Sequence, residues 1–149
     1  MSDSTRNALV TGAARRIGRA IAFALAEDGW SVAVHHNSSS DDASDVVAGI
    51  EARGGRACAL HADLGDVAGT EGLVPAAASA LGPIALLVNN ASLFERDEAA
   101  SVTPESWTAH LDTNLRAPAP VPYTHPTLPT NRLGSTTRAH RPLSTSHRQ

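Results

Sequence analysis

The chain has 149 residues, of which 42% are hydrophobic and only 3% are aromatic. This length and composition are typical of one globular domain with an aliphatic core. The single cysteine, Cys58, excludes an intrachain disulfide and a cysteine-based metal cluster. Because the apolar runs are too short to cross a bilayer and the first ten residues lack a signal-peptide core, we expect a cytoplasmic protein without membrane contact.

Charge is unevenly distributed along the chain. All 15 acidic residues precede residue 117, whereas the last 33 residues hold four arginines, six prolines and no acid. That last segment also has no apolar run of three residues, so it cannot bury enough surface to offset the cost of ordering. We therefore predict a domain over residues 1–117 and a disordered or foreign tail over residues 118–149.

Apolar runs and turn residues in the first part predict strands that alternate with helices. The predicted strands cover residues 7–11, 31–35, 56–60 and 84–88, and the predicted helices begin near residues 17, 41, 67 and 104. Such alternation indicates an α/β fold with a parallel sheet and right-handed crossovers. Pro75 lies inside the third predicted helix and is expected to kink or split it.

Helical spacing predicts which side chains of the first and last helices face the core. The predicted apolar stripes are Ile17, Ile21, Ala24 and Leu25 in the first helix, and Trp107, Leu111 and Leu115 in the last.

A glycine-containing turn joins the first strand to the first helix. Gly12 suits a tight turn after the strand, and Gly18 suits close packing of the helix on the sheet. Such a turn offers backbone N–H groups and the positive end of a helix to a phosphate. Two glycines alone also occur in ordinary strand-to-helix turns. However, His36, Asp63 and Asn90 follow the ends of the other three strands, where ligands bind in parallel sheets.

Four motifs in this order resemble the short-chain dehydrogenase/reductase family. They are TGAARRIG at residues 11–18, DL at 63–64, NNAS at 89–92 and LDTN at 111–114. The resemblance implies a Rossmann-type doubly wound α/β fold, of which this chain would contain about four strands, and an NAD(P)-dependent oxidoreductase. The two basic residues before Ile17, and the segments 36–38 and 90–94, look most like pteridine reductases and dihydromonapterin reductases.

The end of the second predicted strand bears on the choice of cofactor. An acid there would bind the ribose hydroxyls of NAD, but the chain has no acid until Asp41. Arg16, in place of the family's usual middle glycine, is suited to meet a phosphate, and Ser38 can donate a hydroxyl. NADPH is therefore favoured over NADH. The alternative is that Arg15, Arg16 and Arg19 form only a solvated helix face.

By the resemblance, Asp63 and Leu64 would contact the adenine, and Asn90 and Ala91 would line the nicotinamide ribose. Asp63 could instead cap the following helix. The predicted cofactor-binding residues are Gly12, Arg16, Ile17, Gly18, His36, Asn37, Ser38, Asp63, Leu64, Asn90 and Ala91.

The resemblance also assigns substrate and catalytic residues. Ser92 and Phe94 would contact a pterin, with Phe94 stacked on its ring, although an exposed or core phenylalanine is the simpler interpretation. Asn114 matches the family's asparagine that helps to hold a proton-relay water; it could also be an ordinary polar residue on an exposed helix. No metal site is predicted, because His35, His36 and His61 lack the spacing of metal ligands.

The family's catalytic tyrosine and the lysine four residues later have no counterpart. The only tyrosine, Tyr123, is followed four residues later by Thr127, and the chain contains no lysine. We therefore expect no turnover from this chain, and we interpret the residues after about 116–118 as a frameshifted or foreign extension. A genuine basic tail is the alternative, but four scattered arginines would bind nucleic acid poorly. By the resemblance, complete members are homo-oligomers, and the helix that carries their tyrosine and lysine helps to build the dimer. The absence of that pair here puts the assembly of this chain in doubt.

Three functions remain open at this point. The first is the cofactor-binding portion of an NADPH-dependent reductase of a pterin-like or carbonyl small molecule. The second is a 3-oxoacyl or sugar reductase of the same family, and the third is a non-catalytic nucleotide-binding module.

Overall fold

The computed structural model describes residues 6–96, 98 and 100–119. Their centre is a four-stranded parallel sheet in the order β3-β2-β1-β4. Its strands are β1 (Asn7–Val10), β2 (Ser31–His36), β3 (Ala57–His61) and β4 (Leu86–Val88). The predicted tail lies outside the described residues, apart from residues 118 and 119.

Four α-helices and a short π-helical segment connect or follow the strands. They are α1 (Arg16–Glu27), α2 (Ser40–Glu51), α3 (Val67–Leu81), α4 (Pro104–Leu111) and the π-helical segment Asp112–Arg116. Helix α3 has the predicted bounds and is a single helix, so the expectation that Pro75 would split it is wrong. The other predicted boundaries either coincide with the observed ones, as at the start of α4, or differ by one or two residues, because helix and strand ends depend on long-range pairing.

The sheet is covered on both faces, which explains why the central residues of its strands are apolar. Leu9 and Ala33 pack with α3 on one face, whereas Val10 and Val34 pack with α1 and α2 on the other. The predicted doubly wound parallel α/β fold is thus confirmed. The chain reverses direction across the sheet after β3, so the crevice between the ends of β1 and β4 is the switch point where such sheets bind ligands.

Both predicted helical stripes need correction. In α1 the buried residues are Gly18 and Ala22, while Ile17 is 71% exposed and Ala24 is also exposed. Ile21 and Leu25 are partly buried and pack against the core as predicted. The prediction is wrong for Ile17 and Ala24; the small residues Gly18 and Ala22 are buried instead and allow the close approach of α1 to the sheet.

The larger error concerns α4. Trp107 is 60% exposed, Leu111 and Leu115 are exposed too, and α4 has no buried residue. Among the described elements, α4 contacts only the π-helical segment. Spacing correctly identified an apolar stripe, but spacing contains no information about what covers that stripe.

Candidate functional site

The glycine turn after β1 is shaped by two close backbone contacts. Gly12 has a φ of 63°, in the left-handed region that favours glycine. A Cβ atom on Gly12 would lie 2.9 Å from Cα of Ala91, and one on Gly18 would overlap the Gly12 carbonyl oxygen and lie 2.5 Å from Nδ2 of Asn90. Both positions therefore require glycine, as the sequence pattern predicts.

Bonds from the β4 side hold one flank of this turn. The buried hydroxyl oxygen of Thr11 accepts hydrogen bonds from the N–H groups of Asn90 and Ala91, each at 3.0 Å. The Asn90 side-chain amide donates to the carbonyl oxygens of Thr11 and Gly12 at 2.9 and 3.1 Å. Asn90 thus fixes the position of the turn relative to β4 and leaves its carboxamide committed to the backbone.

His35, in β2, holds the other flank. The Gly12 N–H donates to Nδ1 of His35 at 3.0 Å, and the Ala13 N–H donates to the His35 carbonyl oxygen at 2.9 Å. Nε2 of His35 lies 3.1 Å from the carbonyl oxygen of Ala62. The His35 side chain therefore connects the turn to the end of β3.

Burial governs the protonation of His35, which is only 2% exposed. Desolvation lowers its pKa most strongly, the bond to Ala62 raises the pKa in part, and His36 and His61 lower it further. The imidazole is therefore held in its neutral form.

The three arginines near the turn differ in their partners. Arg15 donates to Oδ2 of Asp42 at 2.6 Å, and the Arg19 guanidinium lies 5.6 Å from the ring centroid of Phe23. Among the described residues, the Arg16 guanidinium has no hydrogen-bond or ion-pair partner. Arg16 also has a φ of 50°, a left-handed conformation that is costly for an arginine. This strained residue presents a free cation beside the turn.

The ends of β2 and β3 provide polar groups. Oδ1 of Asp63 accepts a bond from the Gly65 N–H at 2.8 Å and lies 3.5 Å from Nδ2 of Asn37. The cap of α3 is Asp66, which accepts from the Gly69 N–H at 2.9 Å. The alternative that Asp63 caps the helix is therefore wrong: Asp63 stabilises the preceding turn instead.

A cavity of about 1110 Å³ opens over these strand ends. It extends from the glycine turn past Asp63 to one side of α4. Ten of the predicted site residues line it: Gly12, Arg16, Ile17, Gly18, Asn37, Asp63, Leu64, Asn90, Ala91 and Ser92.

Four predicted site residues do not line this cavity: His36, Ser38, Phe94 and Asn114. His36 is buried beside His61, with a ring-centroid distance of 5.6 Å, and Ser38 is exposed. Phe94 is 84% exposed. For Ser38 or Phe94 to contact a ligand in this cavity, the side chain would have to move. Both residues lie outside the helices and strands.

Asn114 binds the segment after β4 rather than facing the cavity. Its Oδ1 accepts from the Leu93 N–H at 2.8 Å, and its Nδ2 donates to the Leu93 carbonyl oxygen at 2.9 Å. Each polar group of the side chain makes one bond to Leu93, so this side chain anchors the segment after β4 to the π-helical segment.

Sequence reasoning assigned no site role to Thr11 and His35. Thr11 lies inside the first motif, and a polar residue at the end of an apolar strand is a usable signal. His35 ends the second strand next to another histidine, and nothing local distinguishes the two. Their difference depends on the pairing of β2 with β1 and β3.

Within the described part of the chain, the structure contains no group of three or more histidine, cysteine or carboxylate residues that could hold a metal. The described helices are too short or too polar to span a membrane.

Comparison with known proteins gives a consistent picture. Residues 6–126 match the family model of the short chain dehydrogenases. The chain is 38% identical over 112 residues to 3-oxoacyl-[acyl-carrier-protein] reductase FabG from Staphylococcus aureus, covering 75% of this chain and 46% of that protein.

Two solved structures resemble the model closely. One is FolM alternative dihydrofolate reductase 1 from Brucella suis in complex with NADP, with a TM-score of 0.74, 42% identity, and coverage of 79% of this chain and 49% of that chain. The other is a short chain dehydrogenase from Burkholderia cenocepacia in complex with NADP, with a TM-score of 0.78, 41% identity, and coverage of 80% and 49%. The chain thus spans about half the length of the relatives it matches.

Proposed function

The chain belongs to the short-chain dehydrogenase family, and we propose that it forms the NADPH-binding portion of a reductase of small molecules. The observation that best supports this proposal is the cavity at the crevice between β1 and β4, which is lined by the glycine turn and by the free Arg16 guanidinium. The matching relatives span about twice the length of this chain, so the proposal covers cofactor binding first and the reaction second.

The residues present fit a dinucleotide phosphate. A Cβ at Gly12 or Gly18 would collide with neighbouring atoms, so the turn is closely packed and its backbone is open on the cavity side. The N-terminus of α1 lies at the turn and favours negative charge there. We assign Arg16 to the 2′-phosphate of the cofactor, which its forked cation can bind in bidentate geometry.

The other end of the cavity suits an adenosine. Asn37 and Asp63 provide an amide and a carboxylate, and Leu64 provides an apolar wall. No carboxylate follows β2 before Asp41, so the segment directly after β2 carries no acid that would bind the ribose hydroxyls of NAD in place of a 2′-phosphate. We propose that the cofactor is NADPH rather than NADH, in agreement with the NADP complexes of the two similar structures.

When bound, NADPH supplies a hydride to the substrate. The residues of this chain would position the cofactor. Asn90 and Thr11 hold the glycine turn against β4, and Ser92 lines the cavity farther along the same strand end. Because the chain has no lysine and no Tyr-x-x-x-Lys pair, we expect it to bind the cofactor but not to turn substrate over by itself.

Arg16 provides the sharpest test. We expect Arg16→Gln to weaken NADPH binding about 10- to 100-fold, because a hydrogen bond to a charged group contributes about 1.5–3 kcal/mol. NADH binding should change little, since NADH lacks the 2′-phosphate. Titration calorimetry with both nucleotides measures the two dissociation constants.

Arg19→Gln is the matched control, because Arg19 lies on the same helix but does not line the cavity. It should bind NADPH as the unmodified chain does. Equal losses in both variants, or equal affinity of the unmodified chain for NADPH and NADH, would contradict the assigned role of Arg16.

For the substrate, we propose a pterin-like molecule with a C=N bond. The support is Ser92 in the cavity wall, Phe94 nearby in sequence, and 42% identity to a FolM alternative dihydrofolate reductase. The 38% identity to a 3-oxoacyl reductase favours a second candidate, a 3-oxoacyl thioester. Saturation-transfer NMR with a dihydropterin and with an acetoacetyl thioester, each in the presence of NADPH, distinguishes them. A non-catalytic module would bind neither.

A further inference from the structure

We propose that His35 is a positioning residue that holds the glycine turn only while its imidazole is neutral, so that acidification loosens the turn and weakens dinucleotide binding. The two side-chain bonds of His35, to Gly12 N–H and to the Ala62 carbonyl, are called the His35 clasp below. This inference rests on the proposed function, because it concerns the regulation of the same site.

The two partners of the imidazole define its tautomer. Gly12 presents an N–H at 3.0 Å from Nδ1, so Nδ1 must carry a lone pair. Ala62 presents a carbonyl oxygen at 3.1 Å from Nε2, so Nε2 must carry the proton. The neutral Nε2–H form is the only state of histidine that satisfies both partners.

Protonation would place a second N–H on Nδ1, directly opposite the N–H of Gly12. Two donors then face each other at a buried position, where water cannot easily take the place of either partner. The turn must shift or the ring must rotate. The carbonyl oxygen of Gly12 lies against Gly18 in α1, so a shift of Gly12 would also displace the start of α1.

The surroundings of the imidazole disfavour its charged form. On its own strand His36 lowers the pKa, and on β3 His61 does the same, in addition to the larger effect of burial. The other charged groups at this edge are Arg15, which is paired with Asp42, Arg16 in the turn, and Asp63 after β3. None of these carboxylates contacts the imidazole among the described residues.

The sign of the pH effect follows from linkage. A histidine whose pKa is lower in the fold than in the unfolded chain binds fewer protons when folded. Its contribution is fully present above the unfolded pKa of about 6.5 and is lost as the pH falls through that value toward the pKa of the folded state. We therefore expect the turn to be firm at pH 8 and loose toward pH 5.

Two substitutions separate the two bonds. In His35→Asn, the side-chain oxygen can take the place of Nδ1 as a non-titrating acceptor for Gly12. In His35→Gln, the longer amide reaches toward Ala62 and leaves the Gly12 N–H without an acceptor. His61→Asn is the matched control, because it removes a nearby exposed histidine that bonds to neither partner.

The first readout needs no nucleotide. In ¹⁵N-labelled protein, the Gly12 amide resonance should move between pH 8 and pH 5 together with the imidazole nitrogens of His35. The Gly12 resonance should stay in place in His35→Asn and should move in His61→Asn. A Gly12 amide that does not respond to pH, or that moves equally in His35→Asn, would overturn the clasp.

The second readout is the NADPH dissociation constant at each pH. The ratio between the unmodified chain and His35→Asn cancels protonation of the nucleotide itself. This ratio should rise about tenfold from pH 8 to pH 5, which corresponds to about 1.4 kcal/mol. His35→Gln should already bind about tenfold more weakly at pH 8.

The two readouts separate failure of the inference from failure of the proposed function. A ratio that stays constant while NADPH binds would overturn the regulatory role of His35. If the unmodified chain binds no NADPH at any pH, the proposed function and its regulation both fail. The Gly12 resonance then decides the clasp alone.

Discussion

Residues 7–91 and residues 92–119 use their side chains in opposite ways. In the first region, both faces of the sheet are covered and the strand ends are bonded to one another through Thr11, His35 and Asn90. In the second region, large apolar side chains such as Phe94 and Leu115 are exposed, and α4 has no buried residue. The first region supplies most of the packing; among the described residues of the second, only Ala117 is buried, and it belongs to the core cluster that contains Leu9.

Two side chains tie the second region together, and a third connects it to the first. Asn114 binds both backbone groups of Leu93, and Nε2 of His110 accepts from the Glu95 N–H at 3.1 Å, whereas Arg116 donates to the Gly65 carbonyl oxygen in the first region at 2.7 Å. Because exposed hydrogen bonds contribute little net free energy, the cofactor-binding crevice should depend on the first region for its stability. The two parts of the cavity wall thus differ in how much buried packing supports them.

The largest expected effect comes from one substitution made in both regions. Leu9→Ala should lower the free energy of unfolding by about 2–5 kcal/mol, because Leu9 is fully buried between β1 and α3. Leu115→Ala, at a side chain that is 67% exposed, should change it by less than about 0.5 kcal/mol. Urea unfolding followed by circular dichroism measures both. Similar losses of unfolding free energy in the two variants would contradict the difference in packing between the two regions.

The next effect concerns the contact between the turn and α1. Gly18→Ala should cost about 1–3 kcal/mol, since the added methyl group meets the Gly12 carbonyl oxygen and the Asn90 amide. Gly72→Ala, in α3 with open space around it, should instead stabilise the protein by about 0.5–1 kcal/mol. Thermal unfolding of the pair reports the difference. A stabilising Gly18→Ala would show that the turn is not closely packed.

The smallest effect tests the bond network on the β4 side. Thr11→Val keeps the shape of the side chain but removes the acceptor for the Asn90 and Ala91 N–H groups, at a cost of about 1 kcal/mol. Thr11→Ser retains the acceptor and should preserve most of the stability. Amide hydrogen exchange at Asn90 and Ala91 should accelerate in the valine variant only. Unchanged exchange would mean that Thr11 does not hold this flank.

Much of the first region could be predicted from the sequence because its signals are local. Apolar runs bounded by turn residues indicate where the strands lie. Gly12 and Gly18 indicate the turn, because a Cβ atom at either position would collide with neighbouring atoms. Gly12, Asp63 and Asn90 were correctly placed at one edge, since the carboxyl ends of parallel strands meet there.

The errors arise where the structure depends on distant neighbours. The stripe of Trp107, Leu111 and Leu115 was expected to be buried, but a periodic pattern does not specify a covering surface. The different roles of His35 and His36 depend on strand alternation, which directs neighbouring side chains to opposite faces. The left-handed conformation of Arg16 likewise cannot be predicted from the spacing of residues in the sequence.

The central claim is that the crevice between β1 and β4 is an NADPH site. The most direct measurement is a titration of ¹⁵N-labelled protein with NADPH, followed by amide chemical shifts. We predict that the shifts change at Gly12, Ile17, Asn37, Leu64 and Ala91. Saturable changes confined to the cavity lined by Phe23, Trp30 and Arg53, or no saturable change at all, would contradict the claim.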